Sequence, residues 1–198
     1  METLIDRLIE RYTKVQNLEA DQIAYVKYGL EVVVTTVINV VLIMLLATLL
    51  HKPGYGLLFM IVFVPTRAVS GGYHSTTRLR CNILILFCEM IVLFMPDLLT
   101  QQRTAAAVIL VEAFVYEMIT YRYAPVENHR KPLALEIQKK NKKASRILGM
   151  VWGILLVFLC TYRIQIAVSI ATTLLIVALL MCLGVHKEKI IDDSDCGM

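Results

Sequence analysis

The sequence predicts an all-α, polytopic membrane protein with about six transmembrane helices and an N-terminal amphipathic helix. Three observations carry that prediction. Of the 198 residues, 58% are hydrophobic and 18% charged, and the mean hydropathy is +0.66, well above the apolar share of a soluble domain. The apolar residues gather into six runs with short polar breaks between them, and spanning a bilayer as a helix takes roughly 20 such residues. Lysine and arginine alternate in density from break to break, as they do in a chain that crosses a membrane repeatedly.

Taken in order, residues 3–27 predict a helix with one apolar face. Leu4, Ile5, Leu8, Ile9, Tyr12 and Val15 recur at three- and four-residue intervals, with Arg7, Glu10, Arg11 and Lys14 elsewhere on the wheel. The pattern suits a helix lying on the membrane surface and, equally, one packed on the cytoplasmic loops. The opening METLIDRLIERYTK lacks the basic tip and apolar core of a secretory signal peptide. Six apolar segments follow: about Gly29–Leu50, Tyr55–Val69, Asn82–Met95, Thr104–Tyr121, Ile147–Tyr162 and Ile164–Leu183. Pro65 is expected to break the second. The second and third are short for a full crossing, so part of the loop between them is expected to dip into the bilayer, shielded by protein or lining a wet cavity. A tight polar turn at Arg163 separates the last two. The layout is one domain, 1–198, made of the arm (1–28), a six-span core (29–183) and a tail (184–198).

Charge gives the orientation. With six spans, one side carries four Lys and Arg in the arm, three at 66–80, eight at 122–146 and two in the tail, seventeen altogether. The other side carries Lys52, Arg103 and Arg163. Seventeen against three is a strong positive-inside imbalance. It predicts that both termini, and the polar break at 67–81, face the cytoplasm. A missed or extra span would scramble the alternation, so the same count supports six.

Five cysteines occur, an odd number without CxxC spacing, which fits neither a disulfide framework nor a zinc site. No metal, cofactor or nucleic-acid partner is expected. Cys88, Cys160 and Cys182 sit in apolar runs, where a thiol behaves as a small hydrophobe. Cys81 differs, lying between Arg80 and Asn82 in the break RAVSGGYHSTTRLRC. A cysteine nucleophile acts as its thiolate and a nearby histidine can take its proton. His74 precedes Cys81 by seven residues, about two turns or roughly 10 Å along a continuous helix, so contact requires the segment between them to bend back. Thr76 or Thr77 is available to cap a helix starting near Arg78 or Cys81, and Gly71-Gly72 permits positive φ or close approach of another backbone. By spacing alone this pair remains compatible with a loop histidine and a helix-start cysteine of no consequence.

The pattern Arg67-x3-Gly71-Gly72-x-His74-x6-Cys81 resembles the signature of the accessory gene regulator B (AgrB) family, membrane cysteine endopeptidases of Gram-positive quorum sensing. A second block, Ala124-Pro125-Val126 followed by Lys131-Pro132-Leu133 in a basic loop, is also similar to that family, as are the length and multi-spanning layout. The tail DDSDCGM matches nothing in it. The resemblance implies Cys81 as nucleophile and His74 as general base. Arg67, Gly71, Gly72, Ser75, Arg78 and Lys131 would bind substrate or shape the site. It also implies a small AgrD-like precursor peptide as substrate, a bacterial cell membrane as location, and a homodimer, with the lipid bilayer as the other partner.

Other residues carry weaker expectations. The run QKKNKKASR at 138–146 suits an acidic stretch of substrate or anionic lipid headgroups, or simply sets topology. Glu89, Glu112 and Glu117 lie within apolar runs, where carboxylates are functional candidates by default. Glu89 is too deep for a triad with Cys81, and an interhelical hydrogen bond or salt bridge is its expected role. His51, His129 and His186 have no metal-ligand spacing. From the residues alone, a small peptide transporter and a non-catalytic membrane scaffold stay open beside the protease.

Overall fold

The computed structural model describes residues 20–72, 78–126 and 135–196, with side chains described from Val33 to Lys187 within those stretches, Arg78 excepted. Six helices follow one another: α1 (Ala20–Leu49), α2 (Pro53–Ser70), α3 (Arg78–Leu98), α4 (Gln102–Tyr123), α5 (Leu135–Tyr162) and α6 (Ile164–Cys196). The described chain holds no extended sheet, only an isolated backbone bridge between Gly71 and Val126. It divides into two compact units, the first ending at Leu45 within α1 and the second running from Leu46 onward. Everything below concerns the second unit.

Helices α2 to α6 are long and apolar enough to cross a membrane, and α1 contributes a shorter apolar stretch, Val33–Leu49. The chain is therefore a polytopic, all-α membrane protein, as its hydropathy predicts. The boundaries differ from the sequence reading in three places. Pro65 lies inside α2 without ending it. Proline removes the amide donor that would bond the Ile61 carbonyl, and neighbouring helices make such a loss tolerable in a span. Helix α3 has 21 residues, about 31 Å at 1.5 Å per residue, so it is long enough to cross although its purely apolar run is short. Helices α1 and α6 run through the expected limits at 28 and 184 without a break. The rest of the N-terminal amphipathic helix lies outside the described residues.

The helices of this unit alternate in direction. Lys52, before α2, donates to the carbonyl of Leu93 at 2.6 Å and pairs with Asp97 near the end of α3. Tyr55 lies beside Tyr162 and Ile166, at the α5–α6 turn. At the other end, Val126 after α4 meets Gly71 after α2. The α5–α6 turn consists of Arg163 alone, whose N–H bonds back to Leu159 at 2.8 Å.

Helix α6 is the hub. Its spanning window is 72% buried, against 22–33% for the other four, and it packs on α2, α3, α4 and α5. Its sequence IQIAVSIATTLLIVALLM is apolar or small on every face, which is what a helix enclosed by others requires. Ala167, Ala171 and Ala178 are fully buried there, letting neighbours approach closely. The large apolar side chains on the outside of α4 and α5, among them Phe114, Met118, Ile154 and Val157, are exposed, as lipid contact demands.

The intramembrane carboxylates each turn to a different neighbour. Both oxygens of Glu112 on α4 lie 3.3 Å from the Thr172 hydroxyl on α6, whereas the interhelical bond expected of Glu89 is not found among the described residues. Glu89 is fully buried, and neither oxygen has a hydrogen-bond partner among the described residues; it lies near Gly56 of α2. The Glu117 carboxylate lies over Gly149 of α5.

Candidate functional site

The last turn of α2 builds the first wall. The Ser70 hydroxyl donates to the Thr66 carbonyl at 2.5 Å, and Trp152 of α5 donates its indole N–H to the Thr66 hydroxyl at 3.1 Å. That turn is thereby held from two sides. Arg67 closes on the residues that follow it. Its carbonyl accepts the Gly71 amide at 3.1 Å while its guanidinium donates to the Gly71 carbonyl.

The two glycines are required by geometry. Gly71 has φ +71° with ψ −152°, and Gly72 has φ +125°; both are conformations that side-chain-bearing residues rarely adopt. A Cβ on Gly71 would sit 2.3 Å from the Val126 carbonyl oxygen. One on Gly72 would sit 1.9 Å from the Arg67 guanidinium and 3.1 Å from the Leu180 carbonyl oxygen of α6. The absent side chains are therefore occupied space: one by the chain that leaves α4, the other by Arg67.

The bridge at Gly71 joins the two sequence blocks. Val126 donates its amide to the Ser70 carbonyl at 2.9 Å, so Ala124-Pro125-Val126 lies alongside Ser70-Gly71. The Ala124–Pro125 bond is cis. Separated by two whole helices in sequence, the two blocks share one backbone contact in space.

Cys81 enters from the start of α3. The helix begins at Arg78, so Cys81 stands in its first turn, where the amide dipoles present their positive end. Its thiol is free and half-buried. The Arg67 guanidinium lies within electrostatic reach of the thiols of both Cys81 and Cys88. One cation, held by its hydrogen bond to the Gly71 carbonyl, thus lies within electrostatic reach of the cysteine singled out by sequence. Asn82, next to it, carries a buried side-chain oxygen without a hydrogen-bond partner among the described residues.

Of the residues expected at the site, the fold brings together Arg67, Gly71, Gly72 and Cys81. His74, Ser75 and Lys131 lie outside the described residues, as does the side chain of Arg78. Sequence reasoning missed three participants. Cys88 is buried in the core, as its apolar run predicts, yet it lies seven residues past Cys81, on the same helical face, and shares the field of Arg67. Leu180 contributes only its backbone, which no side-chain pattern betrays. Trp152 is the sole tryptophan, and its buried N–H requires a partner, a signal that was available. Among the described residues no group of His, Cys, Asp and Glu has metal-binding geometry.

Comparison with known proteins gives a consistent picture. The sequence pattern of the family described as Accessory gene regulator B matches residues 2–183. The chain is 23% identical over 168 residues to the Accessory gene regulator protein B of Staphylococcus lugdunensis, covering 82% of this chain and 87% of that protein. The protein of the same name from Staphylococcus intermedius is 26% identical over 132 residues, covering 66% of this chain and 68% of that one. That of Staphylococcus epidermidis is 26% identical over 145 residues, covering 70% and 72%. No solved structure matches the chain.

Proposed function

This chain belongs to the accessory gene regulator B family, and from that membership we propose that it is a membrane cysteine endopeptidase that matures an AgrD-like precursor peptide for quorum sensing. The observation that carries the proposal is the junction of the two family blocks at the Gly71–Val126 bridge, beside Arg67. Family motifs far apart in sequence meet at the helix end that carries Arg67, a cation within electrostatic reach of the half-buried Cys81 thiol. A cationic neighbour favours the thiolate form in which a cysteine acts as nucleophile.

In this reading His74 takes the proton from the Cys81 Sγ, and the sulfur attacks the scissile carbonyl near the C-terminus of the precursor. The tetrahedral intermediate collapses, the C–N bond breaks, and the proton passes from His74 to the departing amine of the tail. The peptide is left as a thioester on Cys81. A cysteine or serine side chain of that peptide then attacks the thioester carbonyl, releasing Cys81 and closing a thiolactone or lactone ring. Arg67 offers a fixed positive charge to the sulfur or to the developing oxyanion. Ser75, Arg78 and Lys131 are assigned to holding the peptide, and ring closure over hydrolysis suits a site from which water is partly excluded. The site and both termini face the cytoplasm, and the protein works as a homodimer.

A transporter would gather its intramembrane carboxylates along a path, whereas Glu89, Glu112 and Glu117 turn to different helices. The deciding experiment reconstitutes the chain with its precursor peptide. Cys81→Ala and His74→Ala should each lower cleavage by at least about 100-fold. A precursor whose ring-closing residue is changed to alanine should accumulate as a covalent adduct on Cys81, visible by intact-protein mass spectrometry. If both variants cleave at the wild-type rate, the protease reading is wrong.

A further inference from the structure

Where α4 ends and α5 begins, the bundle holds a cleft of about 550 Å³ whose lining includes Arg122, Lys142, Arg146, Tyr121, Tyr123 and Met118. Three cations meet there without a counter-charge: among the described residues none of the three forms an ion pair. The nearest carboxylate identified on α4, that of Glu117, is turned onto Gly149 and forms no ion pair with Arg146. Both guanidinium groups are laid over tyrosine rings, Arg146 over Tyr121 at 4.7 Å and Arg122 over Tyr123 at 5.7 Å. Stacking fixes the plane of a guanidinium and leaves its edge donors for an acceptor in that plane. The Arg146 Nε is buried and has no hydrogen-bond partner among the described residues. A buried, oriented, unsatisfied donor between two other cations calls for an anion with several oxygens.

The surroundings decide which anion. The cleft opens on the outer surface of the helices, at the end of a candidate span, where tyrosine and basic residues together mark a membrane interface. Directly below it on α4, Phe114, Met118 and Tyr121 follow one another at four and three residues, all exposed, and Met150 and Ile154 are exposed on α5. This continues the charged cleft into an apolar track. An acidic peptide has use for the cations and none for the track; a phospholipid uses both.

We propose that this cleft is a binding site for an anionic phospholipid, with the phosphate held by Arg122, Lys142 and Arg146 and an acyl chain laid along Met118 and Phe114. Basic pockets between transmembrane helices commonly take such headgroups. The site is independent of the protease chemistry. It adjoins that chemistry in sequence, because Tyr123 leads directly into Ala124-Pro125-Val126.

The test uses the full-length protein in nanodiscs of equal phosphatidylcholine and phosphatidylglycerol, with the lipids that stay bound on release counted by native mass spectrometry. Wild type should retain phosphatidylglycerol in preference to phosphatidylcholine. At about fivefold per interfacial charge, K142Q/R146Q should cut that preference by about 30-fold and the exposed R122Q by about fivefold. K139Q/K140Q, in the same basic run outside the cleft, should leave it unchanged. R122Q keeps the test sharp should the double variant fold poorly. Equal loss in K139Q/K140Q, or no preference in wild type, overturns the site. Complete displacement of the lipid by millimolar inorganic phosphate would assign the cleft to a free anion, and displacement by a hexaglutamate peptide would assign it to an acidic peptide. Either result refutes the lipid assignment.

Discussion

Gly71→Ala is the most informative single change, because it attacks the contact that unites the two sequence blocks and touches neither Cys81 nor His74. The added Cβ would lie 2.3 Å from the Val126 carbonyl oxygen, whereas ordinary contact begins at 3.4 Å. The connector after α4 must therefore retreat by about 1 Å. Alanine at φ +71°, ψ −152° adds about 1–2 kcal/mol of strain in a region essentially confined to glycine, and loss of the 2.9 Å Val126-to-Ser70 hydrogen bond removes about 1 kcal/mol more. Together these oppose the joined arrangement by about 2–3 kcal/mol, a factor of about 30–150 in its population. Displacements of about 1 Å at a reacting centre commonly cost about 100-fold in rate, so the two routes agree. The assay is precursor cleavage by the reconstituted protein, read beside its thermal melt. Gly153→Ala is the control, since a Cβ there meets nothing within 4 Å, and in a helix the change should be neutral or slightly stabilising. Cleavage should fall by about 30- to 150-fold in G71A and stay unchanged in G153A. A G71A protein that cleaves normally and melts normally would refute the idea that this bridge holds the site together.

Gly56→Ala should destabilise without any direct effect on chemistry: its Cβ would lie 2.4 Å from that of Ala47 and 3.4 Å from the buried Glu89 carboxylate, and overpacking of this kind costs about 1–3 kcal/mol, read as a lowered melting temperature in detergent. Trp152→Phe removes the 3.1 Å bond to Thr66 while keeping an aromatic ring; a loss of about 1 kcal/mol in stability is expected, with a modest fall in cleavage because the same turn carries Arg67. Asp97→Asn, at the opposite end of the unit, should shift the melt by less than about 1 kcal/mol and leave cleavage untouched, since Asp97 is 61% exposed and such ion pairs contribute little. Orientation is open to labelling in intact cells: a cysteine placed at Lys52 should react with an impermeant maleimide added outside and Cys196 should not.

Much of this protein is legible in its sequence because membrane spanning is a local property. Length and apolarity of a segment decide whether it crosses, and each of the six apolar runs coincides with a helix, five of them long and apolar enough to span among the described residues. The turn at Arg163 was likewise readable from the spacing of apolar runs. Cys81, Arg67 and the glycine pair stood out because a polar, glycine-bearing break between apolar runs has few structural reasons to exist. Pro65 was misread because the rule that proline ends a helix assumes water on the other side. In a bundle, leaving the helix would expose more backbone than the one bond that is lost.

What the sequence by itself determined was the all-α membrane class of the protein and the identity of the break on which its chemistry is proposed to turn. Only the tertiary structure decided which helix is central. The six apolar runs look alike as strings, and α6 is the hub because it is small or apolar on every face and four neighbours enclose it. Only the tertiary structure, too, laid Val126 against Gly71 and brought Arg67 within electrostatic reach of Cys81. These contacts join residues from different helices, often through backbone atoms, and the energy that forms them comes from the packing of the whole unit. No local pattern of residues encodes such a contact, and none announces it.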